Sequence, residues 1–261
     1  MNESPFAGRT AIVTGGAFGI GRATVLRLAS GGARVFTGDI RPQPENEAKF
    51  GELGVVQRTC DVRVEADVRA LIEAAVAATG RLDILVNNAG IGLVKQIPDV
   101  TEEEWDRVLD TNFKSVFLTS KHAIGPMRAS GGGSIVNVSS NAGLLPRAHD
   151  PVYSASKGAM IALTKALALC HSRDRIRVNA VCPGPVGDTG MVNADIAKAA
   201  DPEAFKKMLI DASPLARANK RMITPDEVAQ AICYLASDAA AMVSGTSIAI
   251  DGGKSLGVPP A

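Results

Sequence analysis

The chain has 261 residues, of which 46% are hydrophobic, 21% charged and 4% aromatic, with 26 glycines and 14 prolines. That balance supports a sizeable core and excludes a disordered or collagen-like chain. Lysine plus arginine number 28 against 27 aspartate plus glutamate, a net charge of +1; without a basic excess or many aromatics for stacking, nucleic acid is not an expected partner.

No run of about eighteen apolar residues is present to span a membrane, so no membrane partner is expected. The start, Met1-Asn2-Glu3-Ser4-Pro5, lacks the basic and apolar regions of a signal peptide. Cys60, Cys170, Cys182 and Cys233 are scattered, with no CxxC pair and no histidine at ligand spacing. This predicts reduced core or near-core thiols, no metal site and a cytoplasmic location.

The first predicted strand, Thr10–Thr14, runs into Thr14-Gly15-Gly16-Ala17-Phe18-Gly19-Ile20-Gly21 and a helical pattern over Arg22–Ser30. Glycines at a strand–helix turn let the backbone pass close to a pyrophosphate, which sits on the positive end of the following helix. A glycine-rich turn without a nucleotide is the competing reading. The second strand, Arg34–Asp39, ends on an acid about twenty residues beyond the turn, where a carboxylate accepts hydrogen bonds from ribose hydroxyls and repels a 2′-phosphate. A plain strand-end turn residue is the alternative for Asp39. Phe18 occupies the loop position where a basic side chain could hold that phosphate, so NAD is favoured over NADP. Arg41 is the dissenting feature.

A third strand at Val55–Cys60 precedes a helical stripe of Val68, Leu71, Ile72, Ala75 and Val76. The fourth, Leu82–Val86, ends at Asn87-Asn88-Ala89-Gly90. Thr101 with Glu104 reads as a capped helix start. Asn112 falls inside that predicted helix, where an apolar residue is expected. Gly131-Gly132-Gly133 makes a turn before the fifth strand, Ser134–Ser139, whose carboxyl end delivers Ser139-Ser140 to the edge where open α/β sheets place their sites.

Tyr153 and Lys157 stand four residues apart at the start of a long predicted helix, Ser154–Cys170, and so share one face. A free tyrosine, with a pKa near ~10, is a poor base at neutral pH, and a neighbouring ammonium favours its phenolate. The loop before it carries Arg147, His149 and Asp150, suggesting either a hydroxylated or anionic substrate or simply a solvated loop. His122 and His171 lie on helical segments with no acidic or cysteine partner at ligand spacing and read as surface or satisfied polar positions. A sixth strand at Arg175–Val181 follows. Met191–Pro214 reads as a helix pair, either packed on the domain or forming a lid around residues 188–215. Thr224-Pro225 with Glu227 marks another capped helix, and Thr246–Ile250 is the last strand. Strand–helix alternation with strands apolar on both faces predicts one α/β domain over residues 1–261, a doubly wound parallel sheet of about seven strands with helices on both faces.

The motifs Thr-Gly-x-x-x-Gly-x-Gly at Thr14–Gly21, Asn-Asn-Ala-Gly at Asn87–Gly90, Asn112, Ser140, Tyr-x-x-x-Lys at Tyr153 and Lys157, and Pro183-Gly184 occur in this order. On them the chain resembles the short-chain dehydrogenase/reductase family over essentially its whole length. The resemblance implies a Rossmann-like fold and an NAD-dependent oxidoreductase interconverting a secondary alcohol and a ketone. An NADP-dependent reductase, or a cofactor-binding sensor or interaction protein without turnover, are the alternatives.

By the same resemblance Tyr153 would be the general acid/base, and Lys157 would hold the nicotinamide ribose and lower the tyrosine pKa. Ser140, thirteen positions before the tyrosine, would bond the reacting oxygen, with Ser139 a structural neighbour; Asn112 would hold a water in a proton relay. Gly15, Phe18, Gly19 and Ile20 would line the pyrophosphate, Asp39 the adenosine ribose, and Asp61 and Val62 the adenine. Asn88, Ala89 and Gly90 would pack on the nucleotide, Pro183 and Gly184 would border it, and Val186 would face the nicotinamide amide. Thr189 would contact that amide if the loop carries one extra residue; otherwise Asp188 stands at the position. The family also implies a homotetramer. The helix with Ile161, Leu163, Leu167 and Leu169 would make one interface, and Asp251-Gly252-Gly253 with the tail Val258-Pro259-Pro260-Ala261 would lie near the other.

Overall fold

Seven apolar runs form strands and the amphipathic segments between them form helices in the computed structural model, which describes residues 4–41 and 43–257. The expectations for the tail Val258–Ala261 and for Met1–Glu3 lie outside the described residues. The strands are β1 (Thr10–Thr14), β2 (Arg34–Asp39), β3 (Val56–Thr59), β4 (Ile84–Asn87), β5 (Gly133–Val138), β6 (Ile176–Pro183) and β7 (Ser247–Ile250). They pair in the order β3-β2-β1-β4-β5-β6-β7, every neighbour parallel. After β3 the chain returns past β1 to lay β4 on its far side. The loops leaving β1 and β4 therefore diverge and open a crevice at the carboxyl edge.

The helices are α1 (Gly19–Ser30), α2 (Glu47–Glu52), α3 (Glu65–Thr79), α4 (Glu102–Leu109), α5 (Ser115–Ala129), α6 (Pro151–Cys170), α7 (Gly190–Lys198), α8 (Pro202–Asp211), α9 (Pro214–Asn219) and α10 (Pro225–Ala236). Two apolar clusters sandwich the sheet. One joins Val25 and Leu28 of α1 to Val228, Ile232 and Leu235 of α10. The other joins Val68, Leu71 and Ile72 of α3 to Leu118 and Met127 of α5. Strand residues divide between them by the two-residue pleat: Ala11 and Val13 face the first cluster and Ile12 the second. Each fully buried leucine or isoleucine contributes about 1.5–3 kcal/mol, so these two layers dominate the fold's stability.

Both predicted capping boxes form. Thr101 Oγ1 accepts from the Glu104 N–H at 3.2 Å while the Glu104 carboxylate accepts from the Thr101 N–H at 3.0 Å, and Thr224 with Glu227 repeats the arrangement. Element ends differ from expectation where tertiary bonds decide them. Helix α6 begins at Pro151, whose fixed φ suits the first helical position. Strand β6 runs two residues further, to Pro183, because Pro183 still pairs with Ile250. Asn112 lies in a π-helical turn, Asp110–Lys114, that interrupts the passage from α4 to α5.

A chain of buried amides and hydroxyls crosses the centre of the sheet. Thr119 Oγ1 donates to Asn87 Oδ1 (2.7 Å), Asn87 Nδ2 to Asn137 Oδ1 (2.9 Å), and Asn137 Nδ2 to Thr164 Oγ1 (2.9 Å). It links α5, β4, β5 and α6 without leaving a side-chain amide unmatched.

Cys60 and Cys182 are buried and Cys233 is half-buried, but Cys170 is exposed at the end of α6, contrary to a near-core position. Ile161 packs inside the chain itself, while Leu169 projects outward. Among the described residues no helix is long and apolar enough to cross a membrane.

Candidate active site

The turn after β1 is shaped by glycine where nothing larger fits. Gly15 has φ +65°, and a Cβ there would stand 3.0 Å from the Ala89 backbone; a Cβ on Gly21 would stand 2.0 Å from the Gly15 carbonyl oxygen. Asn88 holds this turn from the β4 side, its Nδ2 donating to the carbonyls of Thr14 (3.1 Å) and Gly15 (2.8 Å). Thr14 Oγ1 accepts in return from the N–H groups of Asn88 and Ala89. The Ala17 peptide is pinned at both ends: its N–H donates to Asp39 Oδ2 at 2.7 Å and its carbonyl accepts from Asn46 Nδ2 at 2.7 Å.

This cradle meets the requirements of a dinucleotide phosphate. Helix α1 begins with no side-chain cap and no acidic residue in its first turn, so its leading N–H groups and dipole face the cleft unneutralised. A cleft of about 370 Å³ runs along the carboxyl edge, lined by Gly15, Phe18, Ile20, Asp39, Val62, Asn88, Ala89, Gly90, Pro183, Gly184, Val186 and Thr189. Asp39 lines it with Oδ2 engaged by Ala17; burial pushes its pKa up and the Ala17 bond opposes that. Arg41 is exposed and outside the lining.

At the other end of the cleft stand Ser140, Tyr153 and Lys157. The end of β5 and the second turn of α6 are locked together by Ser139 Oγ, which donates to the Lys157 carbonyl at 2.9 Å. Gly143 allows this closeness, since a Cβ there would stand 2.8 Å from the same carbonyl. Lys157 Nζ donates to the Val138 carbonyl at 2.9 Å and lies 5.8 Å from the Tyr153 ring centroid. Ser140 Oγ accepts from the Ala142 N–H at 3.1 Å.

Burial governs both titrating groups here. It pushes the Tyr153 phenol up, with the Ser140 hydroxyl pulling the other way, and brings the Lys157 ammonium down to about 8. The expected lowering of the tyrosine by the lysine is not seen in the folded chain alone: desolvation of the phenolate raises it, and the opposing pulls come from Ser140 and Arg147.

A second cavity of about 710 Å³ adjoins the cleft, and Ser140, Tyr153, Gly184, Met191 and Val192 line both. Its far wall is Phe205, Met208 and Leu209 of α8, with Arg147, His149 and Asp150 of the loop before α6. Helices α7 and α8 have no fully buried residue.

Several expected residues take places other than the cleft wall. The Asn112 side chain is fully buried and committed: Oδ1 accepts from the Ile91 N–H (2.8 Å), and Nδ2 donates to the Ile91 carbonyl (2.9 Å) and Ser156 Oγ (3.1 Å). Asp61 turns its carboxylate to Arg63, which holds it below the usual range, and does not line the cleft. Gly19 sits behind the lining, in contact range of Thr189. Thr189 faces the cleft and caps α7, whereas Asp188, with φ +53°, faces away from it.

His122 and His171 are satisfied polar positions as expected, although each has a carboxylate partner that was not, Glu65 from α3 and Asp174 three residues on, and neither lines the cleft. Sequence reasoning missed Asn46, whose hold on Ala17 has no linear signature. It also missed Cys60, Ile91 and Met191 of the lining, which ordinary apolar periodicity disguises.

Comparison with known proteins agrees with this geometry. A family model described as enoyl-(acyl carrier protein) reductase matches residues 15–255. The chain is similar to 4-formylbenzenesulfonate dehydrogenase of Comamonas testosteroni, 40% identical over 253 residues, 95% of this chain and 98% of that one. It is similar also to cis-4-hydroxycyclohexanecarboxylate dehydrogenase of Sinomonas cyclohexanicum, 40% identical over 258 residues, 97% and 98% of the two chains. The ligand-free structure of aldohexose dehydrogenase from Thermoplasma acidophilum matches with a TM-score of 0.89 at 33% identity, covering 100% of this chain and 99% of that one.

Proposed function

Because the chain belongs to the short-chain dehydrogenase/reductase family, we propose that it is an NAD-dependent oxidoreductase interconverting a secondary alcohol and a ketone, with Tyr153 as general acid/base. The observation that carries the reading is that Ser140 and Tyr153 line both the dinucleotide cleft and the cavity beside it. They stand where the two would exchange a hydride and a proton.

When bound, the nicotinamide supplies the hydride acceptor or donor. The chain's own residues handle the oxygen. Ser140 offers its hydroxyl to the reacting oxygen and fixes its position. In reduction the buried phenol of Tyr153 gives a proton to that oxygen; in oxidation the phenolate removes the proton from the alcohol. Lys157, held by the Val138 carbonyl, supplies the nearby positive charge that a phenolate needs and a donor for a ribose hydroxyl. Asn112, its side chain fully engaged with Ile91 and Ser156, acts by keeping the Gly90–Ile91 backbone in place beside Lys157.

Asp39, in the cleft lining with Arg41 outside it, favours NAD over NADP. Thr189 is the residue placed for the nicotinamide amide. Helices α7 and α8, thinly packed over the cavity, form the substrate lid. Exposed Phe117, Leu169, Tyr234, Met242 and Leu256 supply apolar surface for the interfaces of a homotetramer. Free thiols suit the reducing cytoplasm.

The test is absorbance at the reduced nicotinamide band, with NAD and NADP in parallel against alcohols, polyols, sugars and ketones, for the wild type and Asp39→Ala. Turnover with NAD, weakened selectively in Asp39→Ala, is the expected result. Silence across the panel despite tight NADH binding would favour a sensor without turnover.

A further inference from the structure

The cavity beyond Tyr153 carries charge that the reaction itself does not use. Its lining holds three cations, Arg147, Lys198 and Lys254, against two carboxylates, Asp150 and Asp195. Asp150 is buried and already engaged, paired with Arg147 Nη2 and accepting from Ser154 Oγ at 3.2 Å. That pairing uses one part of the guanidinium. Arg147 Nε is buried and has no hydrogen-bond partner.

The Lys254 ammonium, half-buried in the strand-end turn after β7, forms no hydrogen bond or ion pair among the described residues, its backbone N–H alone donating to the Asp251 carbonyl at 3.3 Å. Burial lowers its pKa, and the Arg147 charge adds to the effect. A buried donor without a partner and a partly desolvated ammonium are both costly unless something arrives to satisfy them. The surplus over carboxylates is a single positive charge.

We propose that this cavity is built for a substrate bearing one anionic group, a carboxylate or sulfonate, seated between Arg147 and Lys254, with an apolar body against Phe205, Met208 and Leu209. The proposal deepens the oxidoreductase reading and rests on Tyr153 marking the reacting carbon. The guanidinium carbon lies 5.4 Å from the Tyr153 ring centroid, so the anion sits close to that carbon and the substrate is a short or single-ring hydroxy or oxo acid. A neutral polyol would leave Nε and the ammonium without counter-charge, and a dianion would exceed the surplus.

Calorimetric titration of the wild type with cyclohexanecarboxylate, cyclohexanesulfonate and neutral cyclohexanemethanol tests the binding directly. At least one anion should bind ten-fold or more tighter than the alcohol, and that advantage should fall about ten-fold in Lys254→Met, as loss of one charged hydrogen bond implies. Arg147→Met should act likewise. Because Arg147→Met strips buried Asp150 of its partner, Lys254→Met, which breaks no ion pair among the described residues, keeps the test independent of folding. In turnover, the ratio of kcat/KM for 3-hydroxycyclohexanecarboxylate to that for its methyl ester should fall by a similar factor in Lys254→Met.

Equal binding of anion and alcohol, or a ratio indifferent to both substitutions, overturns the proposal; if neutral alcohols are still turned over, the oxidoreductase reading survives it. Lys254-dependent anion binding without turnover by either dinucleotide leaves the proposal standing and removes the oxidoreductase reading. Preference between the carboxylate and the sulfonate identifies the anion.

Discussion

Burial shifts the titration of both Tyr153 and Lys157, pushing the phenol up and the ammonium down. Replacing Tyr153 by phenylalanine removes one hydroxyl from a site already tightly packed, so folding and NADH binding, read by fluorescence, should persist. Turnover should fall by about 10²–10⁴-fold, the usual worth of a positioned proton donor; activity within a few-fold of wild type would sink the assignment. Lys157 makes a pH prediction. Its folded pKa of about 8 lies below the ordinary ~10.4 of a free lysine, so between those values the unfolded chain binds the extra proton and stability rises with pH. Below both values the cost of burying the ammonium is fully present. Urea unfolding of wild type and Lys157→Met should therefore show the wild type gaining about 2–3 kcal/mol on the variant between pH 7 and 10.5; a constant gap would mean that the lysine titrates normally. The identities of Ser140, Tyr153 and Lys157 were legible from a linear motif. The commitment of Asn112 to Ile91, of Asp61 to Arg63 and the buried Arg147 Nε were not, because each depends on a neighbour brought in by the fold.

Helix α10 shows what an element owes to its first residue. Thr224 and Glu227 satisfy two otherwise orphaned N–H groups, and α10 then lays Val228, Ile232 and Leu235 into the cluster shared with α1. Thr224→Ala should cost about 1 kcal/mol, seen as a lower urea midpoint with an unchanged slope. No loss of stability would show that packing alone sets the start of the helix. Both capping boxes were legible because the rule is local, needing only a threonine and a glutamate three residues apart. Strands were legible because a parallel sheet buried on both faces demands unbroken apolar runs. Their ends were not: β6 continues to Pro183 only because β7 lies beside it. The π turn at Asp110–Lys114 was hidden for a related reason, since a regular helical period gives no sign of the tertiary bonds that Asn112 makes there.

At the scale of the molecule, Leu169 is 80% exposed and Met242 97% exposed, and the proposed homotetramer would cover both. Sedimentation at micromolar concentration should give four chain masses, and Leu169→Glu should reduce it to dimers held by the other interface; a wild-type monomer would dismiss the tetramer. Within one subunit, the hydrogen-bonded line from Thr119 through Asn87 and Asn137 to Thr164 has a consequence of another kind. It fastens α6, and with it Tyr153 and Lys157, to residues up to seventy-odd positions earlier in the chain, so a partly assembled domain holds buried amides with nothing to answer them. A half-formed domain is therefore expected to lack a working site. Catalytic activity in a mixed population is accordingly a census of complete molecules.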